Sequence, residues 1–214
     1  MTATAAFVFD LFGTLVAVDD TPQPAAAVAD ALAARGISVP DGWASAYREP
    51  HIDAEEGAEI PLPAHVAAAL ASRGVDVSDT TARQAVIDAF EPVVETRAGA
   101  VEAVAAAGEA GSVGLLSNCA VPALVARTLS RSALDDEAFD AIVVSVDCGW
   151  RKPDPRAFET VARQLTVAAA DLVVVGDTPA TDGGITDCGG EFVDINKTSL
   201  PTLQASLTES QPCR

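Results

Sequence analysis

Four short stretches of the chain carry residues able to do chemistry, and each stands at or just past the end of an apolar run. Asp10 follows Phe7-Val8-Phe9 and precedes Gly13-Thr14. Ser117 and Asn118 follow Gly114-Leu115-Leu116. Arg151-Lys152-Pro153 lies just past the run Ala141 to Ser145. Asp177 closes the run from Asp171 through Gly176, and Asp182 stands one short turn further on. A strand-end carboxylate can serve as a nucleophile that forms a covalent intermediate. Paired carboxylates, with backbone and water oxygens, suit Mg²⁺, a hard cation that takes oxygen ligands. A metal and one lysine together offset the charge of a transferring phosphoryl group. Hydroxyls and N–H groups at helix starts complete an anion cradle. A single strand-end Asp reads as a turn or cap residue. The matched set, in this order, is what points to chemistry.

For these residues to meet, the runs must be neighbouring parallel strands, because ligands in such sheets bind beyond the carboxyl ends. Ala5 to Leu11 (AAFVFDL) is a continuous apolar run and predicts a buried parallel strand. Further strands are predicted over Ser112 to Ser117, Ala141 to Ser145, Asp171 to Asp177 and Glu191 to Ile195. Between them fall helical stretches over Ala100 to Ala110, over Pro122 to Arg131, from Pro155, around 181 to 188, and from about Leu200. This alternation predicts an α/β fold, a parallel sheet with helices on both faces. The segment 21–95 differs. It is rich in Ala, shows no convincing strand, and is broken at Gly36, Pro40 to Gly42, Pro61 to Pro63 and Gly74 into roughly four helices. The predicted organisation is therefore an α/β core of 1–20 and 96–214, with an α-helical insert of 21–95 after the first strand.

The chain has 214 residues and a formal net charge of −18. Phosphate backbones and anionic lipid need a basic face, so neither nucleic acid nor a membrane surface is expected as partner. No apolar run approaches the ~20 residues of a membrane-spanning helix. Met1 to Phe9 lacks the basic start of a signal peptide, and the expected setting is cytoplasmic. Cys119, Cys148, Cys188 and Cys213 show no CxxC spacing and are expected as reduced thiols. Only Lys152 and Lys197 are lysines, Asp outnumbers Glu, and Ala is plentiful. That balance resembles proteins of salt-in halophiles, where dense surface carboxylates work in screening salt.

The motifs resemble those of the haloacid dehalogenase (HAD) superfamily, in the subgroup with a helical cap after the first strand. Asp10-Leu11-Phe12-Gly13-Thr14-Leu15 resembles its first motif, and Leu116-Ser117-Asn118 its second. Gly149-Trp150-Arg151-Lys152-Pro153-Asp154-Pro155 resembles the third, and Gly176-Asp177 through Asp182 the fourth, GDxxxxD. The resemblance spans nearly the whole chain and implies a HAD-like Rossmannoid core. It implies Asp10 as nucleophile, Lys152 as charge neutraliser, and Thr14, Ser117 and Asn118 as phosphate or substrate ligands. Asp10, Asp177, Asp182 and the backbone carbonyl of Phe12 would hold Mg²⁺. The implied activity is hydrolysis of a small phosphorylated metabolite through an aspartyl-phosphate.

One position departs from that pattern. Family phosphatases usually carry a second Asp two residues after the nucleophile, to protonate the leaving alcohol. Phe12 has no proton to exchange. Dehalogenases tolerate an aromatic residue there, and Lys152 to Arg156 also resembles their pattern. A metal-independent 2-haloacid dehalogenase therefore stays open beside the phosphohydrolase, as does a weakly active or non-catalytic ligand-binding member. Asp177 weighs against the dehalogenase, because without a metal it would crowd Asp10 with like charge. The insert holds no Lys, which argues against a Schiff-base phosphonoacetaldehyde hydrolase. Its polar stretch offers Arg48 as a ligand for substrate anion, with Tyr47 as a further candidate and His51 for proton transfer. Against these stands a solvated inter-helix loop. His65 and Trp150 read as structural, Trp43 as structural or lining the cap pocket, Cys119, Cys148 and Cys188 as packing residues, and Arg151 as a surface ion-pair partner.

Overall fold

The computed structural model describes residues 6–18, 23–91 and 94–209. Five parallel strands form the main sheet: β1 (Ala6–Phe9), β4 (Val113–Ser117), β5 (Ala141–Val144), β6 (Leu172–Gly176) and β7 (Glu191–Asp194). Their spatial order is β5-β4-β1-β6-β7, so β1 sits at the centre and the order reverses around it. Phe9 aligns with Leu115 on one side and Val175 on the other, which brings the ends of β4, β1 and β6 level. Asp10, Ser117 and Asp177 leave the sheet at that level.

The strands are apolar on both faces because both faces are covered. Phe7, Phe9, Val113, Leu115 and Val175 share one cluster with α5 (Ala100–Ala110) and α9 (Leu200–Glu209). Ala6, Val8, Leu116, Val143 and Val174 point the other way, towards α8 (Pro155–Leu165). The period-two alternation of side chains distributes each strand between the two cores. α8 meets the sheet through Ala157, Phe158, Val161, Ala162 and Leu165, the spacing of one helix stripe. It begins with Asp154, whose Oδ1 accepts from the Arg156 N–H at 2.9 Å, and with Pro155 in the first turn.

Between β1 and β4 the chain leaves the sheet. β2 (Val16–Val18) leads out, α1 (Pro24–Ala33), α2 (Trp43–Ala46), α3 (Leu62–Ala71) and α4 (Asp79–Ala89) follow, and β3 (Val94–Thr96) leads back. Four helices occupy this segment, but α2 takes only the first turn of the stretch between Gly42 and Pro61, and 47–61 carries no helix. β3 does not agree with a strandless 21–95: it pairs antiparallel with β2, Val16 opposite Thr96 and Val18 opposite Val94. Three residues are too few for a period-two signal, and the partner lies far away in sequence, so this ribbon was illegible locally. It also carries pairing across the predicted boundary at 95/96.

Smaller differences follow the same logic. The predicted helix from Pro122 contracts to α6 (Leu124–Leu129), Ser145 opens the one-turn α7 (Ser145–Cys148), and residues Asp182–Cys188 form a 3₁₀ helix. Among the described residues no helix is long and apolar enough to cross a membrane. Cys213 and Pro22 lie outside the described residues.

Candidate active site

Asp10 is the first residue past β1, and its N–H donates to the Val175 carbonyl at 2.9 Å, so the neighbouring strand fixes its backbone. Its side chain is almost fully buried. Lys152 reaches it from the segment after α7. The Nζ of Lys152 donates to Asp10 Oδ1 at 2.7 Å, to Asp182 Oδ1 at 2.6 Å and to the Leu116 carbonyl at 2.8 Å. An ammonium has three protons, and all three are engaged. Lys152 is itself buried, so this is a desolvated ion cluster whose geometry is fully specified.

Asp177 completes a trio. One carboxylate oxygen from each of Asp10, Asp177 and Asp182 lies within 4.8 Å of the others. Two glycines make the approach possible. Gly13 has φ +89, and a Cβ there would stand 2.4 Å from Asp177 Oδ2. A Cβ on Gly176 would meet Asp182 Oδ2 at 2.2 Å. Any side chain at either position would push a carboxylate out of the cluster. Asp182 Oδ2 also accepts from the Thr178 N–H at 3.1 Å. Among the described residues the Asp177 side chain receives only hydroxyl contacts, Thr14 Oγ1 at 3.5 Å and Thr178 Oγ1 at 3.2 Å.

Burial pushes the Asp10 carboxyl above its ordinary range, and the nearby Asp182 carboxylate adds to the rise. Lys152 and Thr14 oppose it. Three carboxylates with one ammonium leave an excess of negative charge in a nearly dry site. An all-oxygen donor set of this kind fits a hard divalent cation. The Phe12 carbonyl accepts no hydrogen bond among the described residues, so it remains available as an oxygen donor. Ser117 points to a ligand independently. It ends β4, is fully buried, and its Oγ has no hydrogen-bond partner among the described residues. An unmet buried hydroxyl costs about 1–3 kcal/mol, which a bound anion would relieve.

Asn118 takes a place the sequence did not suggest. Its Nδ2 donates to the Lys152 carbonyl at 2.9 Å and its Oδ1 accepts from the Lys152 N–H at 2.8 Å. The amide clamps the peptide of Lys152 instead of standing open to substrate. Asn196 grips Asp177 in a similar way: its Nδ2 donates to the Asp177 carbonyl at 2.7 Å. Neither clamp was legible in the sequence, because each holds backbone distant in the chain.

The helical segment contributes a row of rings. His51 and His65 stand with ring centroids 5.8 Å apart, and Tyr47 and Trp43 continue the row. Each histidine uses its Nε2 on a backbone carbonyl, His51 on Ala46 at 2.6 Å and His65 on Tyr47 at 2.7 Å. Arg48 is exposed, and its guanidinium has no partner among the described residues. Phe12 is half-buried against the main apolar cluster. Arg151, expected to pair on the surface, has no ion pair among the described residues. Arg156 pairs with Asp154 and Glu55 and stacks over Trp150 at 3.3 Å. Cys119 is buried, its thiol pushed up to about 11 by desolvation.

A family model of haloacid dehalogenase-like hydrolases matches residues 4–184. No curated protein matches the sequence. Among solved structures, the fold is similar to that of a HAD family enzyme from Bacteroides thetaiotaomicron, in complex with magnesium and inorganic phosphate. That pair shares 15% identity with a TM-score of 0.60, over 90% of this chain and 94% of the other. It is also similar to 2-haloacid dehalogenase from Pseudomonas syringae pv. tomato, at 20% identity and a TM-score of 0.58, over 91% of this chain and 87% of the other. The L-2-haloacid dehalogenase from Xanthobacter autotrophicus shares 20% identity with a TM-score of 0.55, over 97% of this chain and 83% of the other. At these identities the neighbours speak for the fold, and the family model covers most of the sequence. The chain is a hydrolase of the haloacid dehalogenase-like family.

Proposed function

We propose that the chain is a Mg²⁺-dependent phosphohydrolase acting on a small phosphorylated metabolite. The observation that carries this reading is the trio Asp10, Asp177 and Asp182, gathered within 4.8 Å of one another, with a single ammonium pairing two of them. A metal-free halide displacement has no use for Asp177. In this reading Asp10, Asp177, Asp182 and the Phe12 carbonyl would hold the cation, whose charge would offset that of the phosphoryl group. The Asp10 oxygen not engaged by Lys152 attacks phosphorus, the ester P–O bond breaks with its electron pair leaving on the alcohol oxygen, which takes its proton from water, and an aspartyl-phosphate forms. Water then cleaves that intermediate and restores Asp10. Lys152 favours the ionised form of Asp10 and orients it, and Ser117 Oγ donates to a phosphoryl oxygen. Thr14 steadies Asp10 and Asp177. Asn118 fixes Lys152. Arg48 is a free cation for a remote anionic group of the substrate. Helices α1–α4 act as the cap, a small domain over the site formed by 21–95 against a core of 1–20 and 96–214.

Phe12 favours a second reading, a 2-haloacid dehalogenase. An apolar side chain stands where phosphatases place an acid, and carboxylate attack on a carbon–halogen bond needs no protonated leaving group. The two readings separate in one experiment. Phosphate release from aryl and acyl phosphates is followed in molar KCl with Mg²⁺ or EDTA, beside an Asp10→Asn control. Chloride release from 2-chloropropionate is followed in parallel. The expected result is Mg²⁺-dependent phosphate release that the control abolishes. Chloride release indifferent to EDTA would establish the dehalogenase. Silence in both would favour a ligand-binding member without turnover.

The proposal extends to setting. The excess of acidic residues supports a halophilic protein, and free Cys119, Cys148 and Cys188 suit a reducing cytoplasm. The charge of −18 disfavours nucleic acid and anionic membrane surfaces as main partners.

A further inference from the structure

The loop between α2 and α3 leaves the helical segment and lies along the core. Ala58 bridges Trp150 antiparallel. The Arg151 N–H donates to the Gly57 carbonyl at 3.0 Å, the Glu59 N–H to Gly149 at 2.9 Å, and the Leu62 N–H to Ala120 at 2.9 Å. Arg156 fastens the same loop from outside through Glu55 and the Glu56 carbonyl. The backbone of Glu59 is therefore held against the segment that delivers Lys152. Its side chain turns inward. Ser145, fully buried at the start of α7, donates from Oγ to Glu59 Oε2 at 2.6 Å. The same Oγ accepts from the Cys119 N–H at 2.8 Å. Cys119 adjoins Asn118, whose amide clamps Lys152, and Ser117, whose hydroxyl awaits a partner.

We propose that Glu59 is a positioning residue that joins the helical segment to the reaction centre. Glu59 fixes the rotamer of Ser145, and Ser145 fixes the Cys119 peptide. That peptide holds the turn 117–119 in the register that presents Ser117 Oγ and keeps Lys152 on Asp10. The hydroxyl is the hinge of the argument. With Glu59 as acceptor, its proton points away from Cys119 and a lone pair faces the Cys119 N–H. Without Glu59 the Cys119 N–H still needs that lone pair, but the hydroxyl proton loses its acceptor and the Ser145 rotamer loses one of its two restraints. A carboxylate from the helical segment thus sets geometry it does not touch. The proposal depends on the phosphohydrolase reading only for the choice of substrate.

The test compares Glu59→Ala, Glu59→Gln and Ser145→Ala, with p-nitrophenyl phosphate and Mg²⁺ as probe. Glu59→Ala and Ser145→Ala are expected to lower kcat/KM by about tenfold to a hundredfold, the scale of sub-ångström to ångström misplacement. Glu59→Gln keeps an acceptor oxygen and is expected to recover most of that loss. Hydrogen exchange over 115–121 is measured on the same proteins. It should quicken in Glu59→Ala and return towards the native rate in Glu59→Gln, with β6 unaffected. Native activity in Glu59→Ala, a Glu59→Gln as damaged as Glu59→Ala, or unchanged exchange would each overturn the proposal. If the native protein releases no phosphate, the phosphohydrolase reading fails, and the exchange result alone decides the role of Glu59.

Discussion

Phe12 stands two residues after Asp10, the proposed nucleophile, and brings an apolar ring to a position where a proton would be useful to a phosphohydrolase. Proton transfer by a positioned acid contributes about 10²–10⁴-fold, and the need grows with the basicity of the leaving group. Phe12→Asp is therefore expected to raise kcat for alkyl phosphates by at least about tenfold over its effect on aryl phosphates. Steady-state kinetics on one substrate of each class checks this, and a fall in both would mean that Phe12 is needed for packing against the apolar cluster. Cys119 yields a second prediction. Its buried thiol holds its proton until about 11, whereas the unfolded thiol loses it near 9.0. Between those values the unfolded state binds fewer protons, so stability present below pH 9 is lost as pH rises to about 11. The loss is expected to be about 2 kcal/mol, and Cys119→Ala should lack that part of it in urea titrations across the range. An equal decline in both proteins would contradict the burial argument.

At the scale of elements, the start of α8 does two things at once. Asp154 caps the helix by accepting from the Arg156 N–H, and it also holds the Arg156 guanidinium at 2.8 Å. Arg156 in turn touches Glu55 and Glu56 of the helical segment. Asp154→Ala is expected to cost about 1 kcal/mol through the lost cap, measured by chemical denaturation. It should also raise proteolytic nicking between 53 and 59, because Arg156 loses the partner that orients it. A destabilised variant with unchanged nicking would confine Asp154 to capping. The elements differ in how plainly the sequence announces them. β1, β4 and β6 are continuous apolar runs and α8 is a clean stripe, so each was legible. The β2–β3 ribbon was not, because each half is three residues long and its stability comes from a partner distant in the chain.

Across the whole molecule the charge of −18 dominates. Like charges on one compact body repel, and salt shortens the reach of that repulsion from ~10 Å at 0.1 M to ~3 Å at 1 M. Thermal midpoint and kcat/KM are both expected to rise between about 0.1 and 1 M KCl. A flat or falling profile would remove the halophilic reading. The buried cluster around Lys152 should respond far less, since desolvated pairs are poorly screened.

By itself the sequence determined the strand-end residues, the α/β alternation and the helical stretch that interrupts it. These are local facts, because a continuous apolar run, a helical stripe and a Gly-Asp step are visible wherever they occur. Tertiary structure decided which of those residues meet. It put Asp10 and Asp182 on one ammonium with the Asp177 carboxylate beside them, gave Asn118 and Asn196 distant backbone to clamp, and left Ser117 Oγ buried without a hydrogen-bond partner among the described residues. It also brought Glu59 from the helical segment onto Ser145. Such contacts join residues far apart in the chain, and a hydrogen bond to a distant peptide leaves no periodicity for the sequence to show.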